Sequence, residues 1–166
     1  MKIGIISDTH GYLDPQVFQY FEPCDEIWHA GDIGDIDVVE DLAAFKPLRA
    51  VHGNIDGPEI RRHYPQDQLF DCDGLRVWIT HIAGLPPRYT PAILTRLRQT
   101  SFDLLVCGHS HILRVLRDKQ HPPLLYINPG AAGQHGIHHV RTILRLGIEG
   151  GQLSNMEAIE LGLRGR

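Results

Sequence analysis

Short apolar runs and amphipathic stretches take turns through the first two thirds of the chain. Ile3 to Ile6 is a continuous apolar run, as expected of a strand buried on both faces. Asp14-Pro15 then reads as a helix N-cap followed by a first-turn proline, with Val17, Phe18 and Phe21 at helical spacing. Ile27 to Ala30 predicts a second strand. Asp35 or Asp37 opens a second helix that carries Val38, Val39, Leu42 and Phe45 on one face and stops at Pro47. Leu48 to Val51 predicts a third strand. Gln68 to Asp71 and Leu75 to Thr80 predict two more, joined by the hairpin signal Asp73-Gly74. Thr90-Pro91 opens a helix with Ile93, Leu94 and Leu97, and Leu104 to Cys107 is again an unbroken apolar strand.

Beyond Cys107 the pattern alternates at Leu113 and Val115, Leu124 to Ile127, Thr142 to Leu146 and Leu153 to Ile159, with Gly150-Gly151 turning the last two against each other. This part reads as antiparallel sheet without helix. The sum is an α/β fold whose first half resembles βα units and whose second half is mainly β. Pro86-Pro87 and Pro122-Pro123 read as loop punctuation, and the expectation is one domain over residues 1–166.

Composition narrows the function classes. A net charge of -4, with no basic run beyond Arg61-Arg62, gives no footprint for gripping a nucleic-acid backbone, so no stable nucleic-acid partner is expected. No stretch reaches the length of a membrane helix, and the start is too poor in apolar residues for a signal peptide. Three cysteines, Cys24, Cys72 and Cys107, form no C-x-x-C pair, and the odd count argues against a disulfide framework; a reducing cytoplasm fits best. Eleven histidines are the unusual feature. Histidine serves as surface filler and as the commonest metal ligand, so its placement decides the reading.

Polar residues follow the predicted strands in order. Asp8-Thr9-His10 follows the first, Gly31-Asp32 the second, Gly53-Asn54 the third, His81 the Leu75 to Thr80 strand, and Gly108-His109-Ser110-His111 the Leu104 strand. In an open α/β sheet, ligands bind beyond the carboxyl ends of the strands. Five segments therefore deliver Asp8, His10, Asp32, Asn54, His81, His109 and His111 to one edge. Neutral imidazole and carboxylate oxygen bind zinc, manganese, iron and similar ions. Seven ligands exceed one tetrahedral site and suit two ions sharing a bridging carboxylate, a standard device for displacement at phosphorus with the ions roughly 3.5–4 Å apart.

The ordered series Asp-x-His, Gly-Asp, Gly-Asn, a lone His after a strand and Gly-His-x-His resembles the calcineurin-like metallophosphoesterase superfamily. With the short length and Asn128-Pro129-Gly130, it is similar to the small prokaryotic phosphodiesterase branch. The resemblance covers nearly the whole chain. It implies an αββα sandwich of two packed mixed β-sheets flanked by helices. It implies that Asp8, His10 and His111 hold a first divalent metal, that Asn54, His81 and His109 hold a second, and that Asp32 bridges them. Asp32, Asn54 and His109 would be the catalytic members. The cofactors would be two divalent ions per chain, manganese first, with iron, zinc, nickel or cobalt compatible with the same ligands. A hydroxide held between the ions would attack a small phosphate ester, more readily a diester than a monoester. The same fold also serves as a protein-binding scaffold in the retromer coat, and a phosphomonoesterase is the third reading; an exposed sheet edge would make a homo-oligomer plausible.

One position departs from the pattern. Many members have His directly after Gly-Asn, near the scissile phosphate, whereas this chain reads Gly53-Asn54-Ile55-Asp56. The Ile55 side chain cannot donate a proton, so the acid for the leaving group is unassigned. Of the remaining histidines, His29 reads as a satisfied core residue or a support behind the site, and His52 as structural. His63 and His121 read as surface or loop residues. His135, His138 and His139 lie in a Gly-rich loop that could reach the phosphate, with at least two of them exposed. Asp56 is expected to orient the Asn54 loop, Arg88 to be solvated, and Trp28 and Trp78 to be core.

Overall fold

The apolar runs assemble as two five-stranded sheets in a computed structural model that describes residues 1–165. The first sheet holds β1 (Lys2–Ile6), β2 (Glu26–His29) and β3 (Leu48–Ala50), mutually parallel in that order. It is extended beyond β1 by the antiparallel ribbon β11 (Val140–Glu149) and β12 (Gln152–Leu163). The second sheet runs β4 (Asp67–Cys72), β5 (Leu75–Thr80), β8 (Leu104–Val106), β10 (Leu125–Pro129) and β9 (Leu113–Arg117). Here β5, β8 and β10 are parallel, and the edge strands β4 and β9 are antiparallel to their neighbours.

Strand alternation sends each apolar run to two different cores. Ile3 and Ile5 of β1, Trp28 of β2, Val77 and Ile79 of β5, and Leu104 and Val106 of β8 meet between the sheets. Ile6 and Ile27 point the other way, toward α1 (Gln16–Phe21) and α2 (Ile36–Phe45), where Phe21, Val39 and Leu42 cover them. Trp78, Leu105 and Tyr126 face outward from the second sheet onto Ile93 and Leu97 of α4 (Pro91–Gln99). The result is the expected two-sheet sandwich flanked by helices, and both tryptophans are core residues.

Three short elements escaped the pattern. α3 (Pro58–His63) is a six-residue helix with one buried residue, Ile60, too short to show a periodicity. The two-residue strands β6 (Gly84–Leu85) and β7 (Arg88–Tyr89) pair around Pro86-Pro87. Among the described residues the alternating region after Cys107 has no helix, as expected, but it is not one antiparallel sheet. β9 and β10 join the second sheet, where β10 runs parallel to β8, whereas β11 and β12 cross to the first. Periodicity reports which face is buried and is blind to which partner strand buries it.

Asp14 does more than start α1. Its carboxylate accepts the backbone N–H of Gln16 at 2.9 Å and a guanidinium N–H of Arg141, which reaches across from β11. Both side chains are buried, and the pair ties the first helix to the long ribbon. Asp14→Ala removes the cap and strands a buried charge. It is expected to destabilise the fold by about 3 kcal/mol in chemical denaturation, while Asp14→Asn recovers the capping share.

Candidate metal centre

The parallel strands β1, β2, β3, β5 and β8 release the chain at one end of the sandwich, and the seven singled-out residues converge there. Asp8 and Asp32 are buried, His81 is buried, His10 and His111 are half-buried, and Asn54 and His109 lie at the open rim. Two groups of potential metal ligands form, Asp8 with His10 and His111, and Asp32 with His81 and His109. Within each group the ligand atoms lie within 4.8 Å of one another. Asn54 joins the second, its Oδ1 standing 3.0 Å from both His81 Nε2 and His109 Nδ1. Asp32 faces both groups: Oδ2 is 3.5 Å from His10 Nε2, and Oδ1 is 3.2 Å from His81 Nε2.

The local backbone is bent to make this convergence possible. Asp8, His10, Asp32, His109 and His111 all have positive φ, between 46° and 72°. That is costly for residues with a Cβ and persists only where the surroundings enforce it. Two glycines permit the close approach of neighbouring turns. A Cβ on Gly53 would collide with Asp32 Oδ1, and one on Gly108 would collide with Ser7 Oγ and come 2.6 Å from Asp8 Oδ2.

The donor set fits a divalent cation. His81 Nδ1 lies 2.7 Å from the Ala30 carbonyl, which can only accept, so this nitrogen carries the proton. In a neutral ring, Nε2 then presents a lone pair to Asn54 Oδ1 and Asp32 Oδ1, which are lone-pair bearers themselves. Asp8 Oδ1 and His10 Nε2 are buried with no hydrogen-bond partner. Buried acceptors facing one another need positive charge between them. Without an ion, the charge can come only from a proton. Burial opposes charging His81, but its hydrogen bond to Asp32 and the nearby carboxylates of Asp8 and Asp32 outweigh this and raise its pKa. For His10 burial prevails over the same two carboxylates, and its pKa is lowered.

Behind the ligand atoms stands a shell of fixed partners. Ser7 Oγ donates to Asp8 Oδ2 at 2.7 Å, and the His109 N–H donates to the same oxygen at 3.1 Å. The Asp56 carboxylate accepts the N–H groups of Ile33, Gly34 and Gly53, so it holds the Asp32 and Asn54 turns together as expected. The Ile55 N–H donates to Asp32 Oδ1 at 3.1 Å. Position 55 thus serves the site through its backbone. Asn128 Nδ2 donates to the Gly108 carbonyl and to Ser110 Oγ, bracing the His109–His111 loop from β10.

His29 is a satisfied buried residue. Gly31 N–H donates to its Nδ1, so its Nε2–H donates to Thr9 Oγ1, whose hydroxyl donates to the Ile33 carbonyl. His52 donates Nδ1–H to the Tyr64 carbonyl, and its ring also lines the cavity beside Asn54. His63 is exposed, and His121 pairs with Asp118 in a loop. His135 and His139 are exposed, with the His135 ring 5.0 Å from that of His10.

His138 is the member of the Gly-rich loop that sequence reasoning did not place. It is buried, its Nε2–H donates to the Gly133 carbonyl at 2.9 Å, and its Nδ1 lies 3.2 Å from His111 Nδ1. The carbonyl fixes the His138 tautomer, so His111 must donate Nδ1–H and aim a bare Nε2 at Asp8 Oδ1, 3.2 Å away. No spacing rule links positions 111 and 138, because the link is made by the turn after β10.

Residues 1–151 match the calcineurin-like phosphoesterase superfamily domain. The chain belongs to that family. A probable metallophosphoesterase of Methanothermobacter thermautotrophicus is 32% identical over 142 residues, covering 79% of this chain and 77% of its own length. A phosphodiesterase of Methanocaldococcus jannaschii is 26% identical over 146 residues, covering 78% of this chain and 83% of its own. Among solved structures, Vps29 of Entamoeba histolytica in complex with Zn²⁺ superposes with a TM-score of 0.72. At 17% identity, it covers 98% of this chain and 99% of that one. The family is metal-dependent, and the convergent acceptors described above are the residues able to serve it.

Two expectations follow. His138→Ala frees the His111 ring, and metal affinity at the first group is expected to fall by about 10–100-fold in calorimetric titration of metal-stripped protein. Burial lowers the His29 pKa to about 4, against 6.5 for the free side chain. The unfolded chain therefore binds this proton between those values and the folded chain does not. The stability His29 contributes is complete above pH 6.5 and lost as pH falls toward 4, about 2 kcal/mol of it by pH 5. His29→Gln, which keeps a donor and an acceptor, is expected to remove that share of the pH slope in thermal melts.

Proposed function

We propose that this protein is a binuclear phosphodiesterase, with the two groups each holding one divalent ion and Asp32 shared between them. The observation that carries the reading is the Asp32 carboxylate, whose two oxygens face different groups at 3.5 and 3.2 Å. Asp8, His10 and His111 are assigned to the first ion, and Asn54, His81 and His109 to the second. Manganese suits this oxygen and imidazole set. Three free, buried cysteines fit a reducing cytoplasm, and no helix among the described residues is long and apolar enough to cross a membrane.

When bound, the ions would supply charge for the phosphoryl oxygens and acidify water into a nucleophile near neutral pH. The protein contributes preorganisation. The Ala30 carbonyl and His138 hold His81 and His111 in the tautomers that leave Nε2 free. The Ile55 N–H fixes the shared carboxylate. Asp56 keeps the two turns in register, so the ligands do not reorganise as charge develops. No side-chain donor stands at position 55, which suits esters whose leaving group departs with little protonation. A diester is favoured over a monoester by the space on both sides of the second group. One cavity of about 240 Å³ opens beside Asn54, Arg61 and His52, and another of about 240 Å³ opens beside His109. Each side can take one substituent.

The test is hydrolysis of a bis-aryl phosphodiester by metal-stripped protein with and without Mn²⁺. Turnover is expected only with the metal and is expected to drop by at least about 100-fold in Asp32→Ala. Faster turnover of the matched monoester would convert the reading to a phosphomonoesterase. Folded protein that holds its metal yet hydrolyses neither ester would instead favour a binding scaffold, a role that exposed Ile55 and the resemblance in fold to Vps29 would then support.

A further inference from the structure

The cavity beside His109 differs in chemistry from the one beside Asn54. Tyr126, almost fully buried, touches its inner end, and the hydroxyl of that residue donates to the Gly84 carbonyl at 2.8 Å. The polar end of the ring is thereby used up within the protein. Leu85 of the β6–β7 hairpin and Ile112 of the loop after β8 form the walls, and they are 39% and 49% exposed. Apolar side chains that together line one groove beside a polar centre are the kind of surface that marks a ligand site. Arg114 of β9 lines the same cavity and finds no acceptor or carboxylate partner among the described residues.

The cavity is continuous with the candidate metal centre, because Gly108 and His109 line it and His109 belongs to the second ligand group. A substituent of whatever that group binds can therefore reach into it. At about 240 Å³ the cavity is smaller than the usual range for drug-sized ligands and suits a single ring system. A guanidinium stacks on aromatic faces in preference to aliphatic ones, and Arg114 lines this cavity.

We propose that this cavity is a substrate subsite that takes one planar aromatic substituent, an aryl or nucleobase ring, of the phosphate ester. The inference rests on the phosphoesterase reading above and adds the substrate class to it. Leu85 and Ile112 sandwich the ring, Tyr126 supports it, and Arg114 closes the outer rim while adding positive charge near the phosphoryl group. The opposite cavity, with Arg61 and His52, is left for the more polar substituent.

Binding of phenylphosphonate and methylphosphonate to the Mn²⁺-loaded protein, measured by calorimetry, tests the subsite without turnover. The two probes share the phosphonate group and differ in the ring. Covering about half of a phenyl ring is worth roughly tenfold in affinity, so phenylphosphonate is expected to bind about tenfold tighter. In the Leu85→Ala/Ile112→Ala variant, with metal content measured alongside to show an intact fold, the ratio is expected to fall within about twofold. Equal affinities for the wild type, or a preference that survives in the variant, would overturn the subsite alone. If neither phosphonate binds to protein that carries its metal, the phosphoesterase reading falls with it.

Discussion

Seven lone-pair-bearing side chains are pressed together at one end of this sandwich, and nothing in their midst donates to them all. Mutual repulsion of buried acceptors is the constraint on which the neighbouring structure depends. Ser7, His138 and the Ala30 carbonyl hold Asp8, His111 and His81 from behind, while Asp56 and Asn128 brace the turns that carry Asp32, Asn54, His109 and His111. The backbone takes positive φ at five of the seven positions to bring them together. A fold spends strain of that kind where something outside the chain returns it.

The sandwich itself is built from ordinary apolar alternation, and so it was largely readable in advance. Buried strands such as Ile3–Ile6 and Leu104–Val106 identify themselves by having no polar position to offer water. The ligand candidates were equally visible because each follows such a strand directly, where a chain leaving a parallel sheet must turn. What could not be read was pairing across distance. β11 and β12 look like a continuation of β9 and β10 and yet add to the other sheet, since an alternating strand satisfies either partner. His138 illustrates the same limit within the site. Among three histidines in one loop, only the fold distinguishes the buried one that directs His111 from the two left in solvent.

Position 55 shows how a reading limited to side chains misjudges a residue. Isoleucine brings no proton donor, and by that measure the turn is deficient. Its N–H nonetheless fixes Asp32 Oδ1, a contact that any residue except proline could supply. The carboxylate is held by the main chain, and the side chain, 47% exposed at the rim, is left free to vary with what approaches from outside.

The two ligand groups also have a mechanical meaning. Asp8, His10, Asp32 and Asn54 descend from the first sheet, whereas His81, His109 and His111 descend from the second. Each group therefore spans the seam of the sandwich. An ion seated in either one would act as a rivet between halves that otherwise adhere through their shared apolar layer and a few hydrogen bonds such as those of His81 to Ala30 and His109 to Asp8. Loading would then grip the open end of the seam, and its removal would let the layers breathe there first, while the packed middle stayed closed.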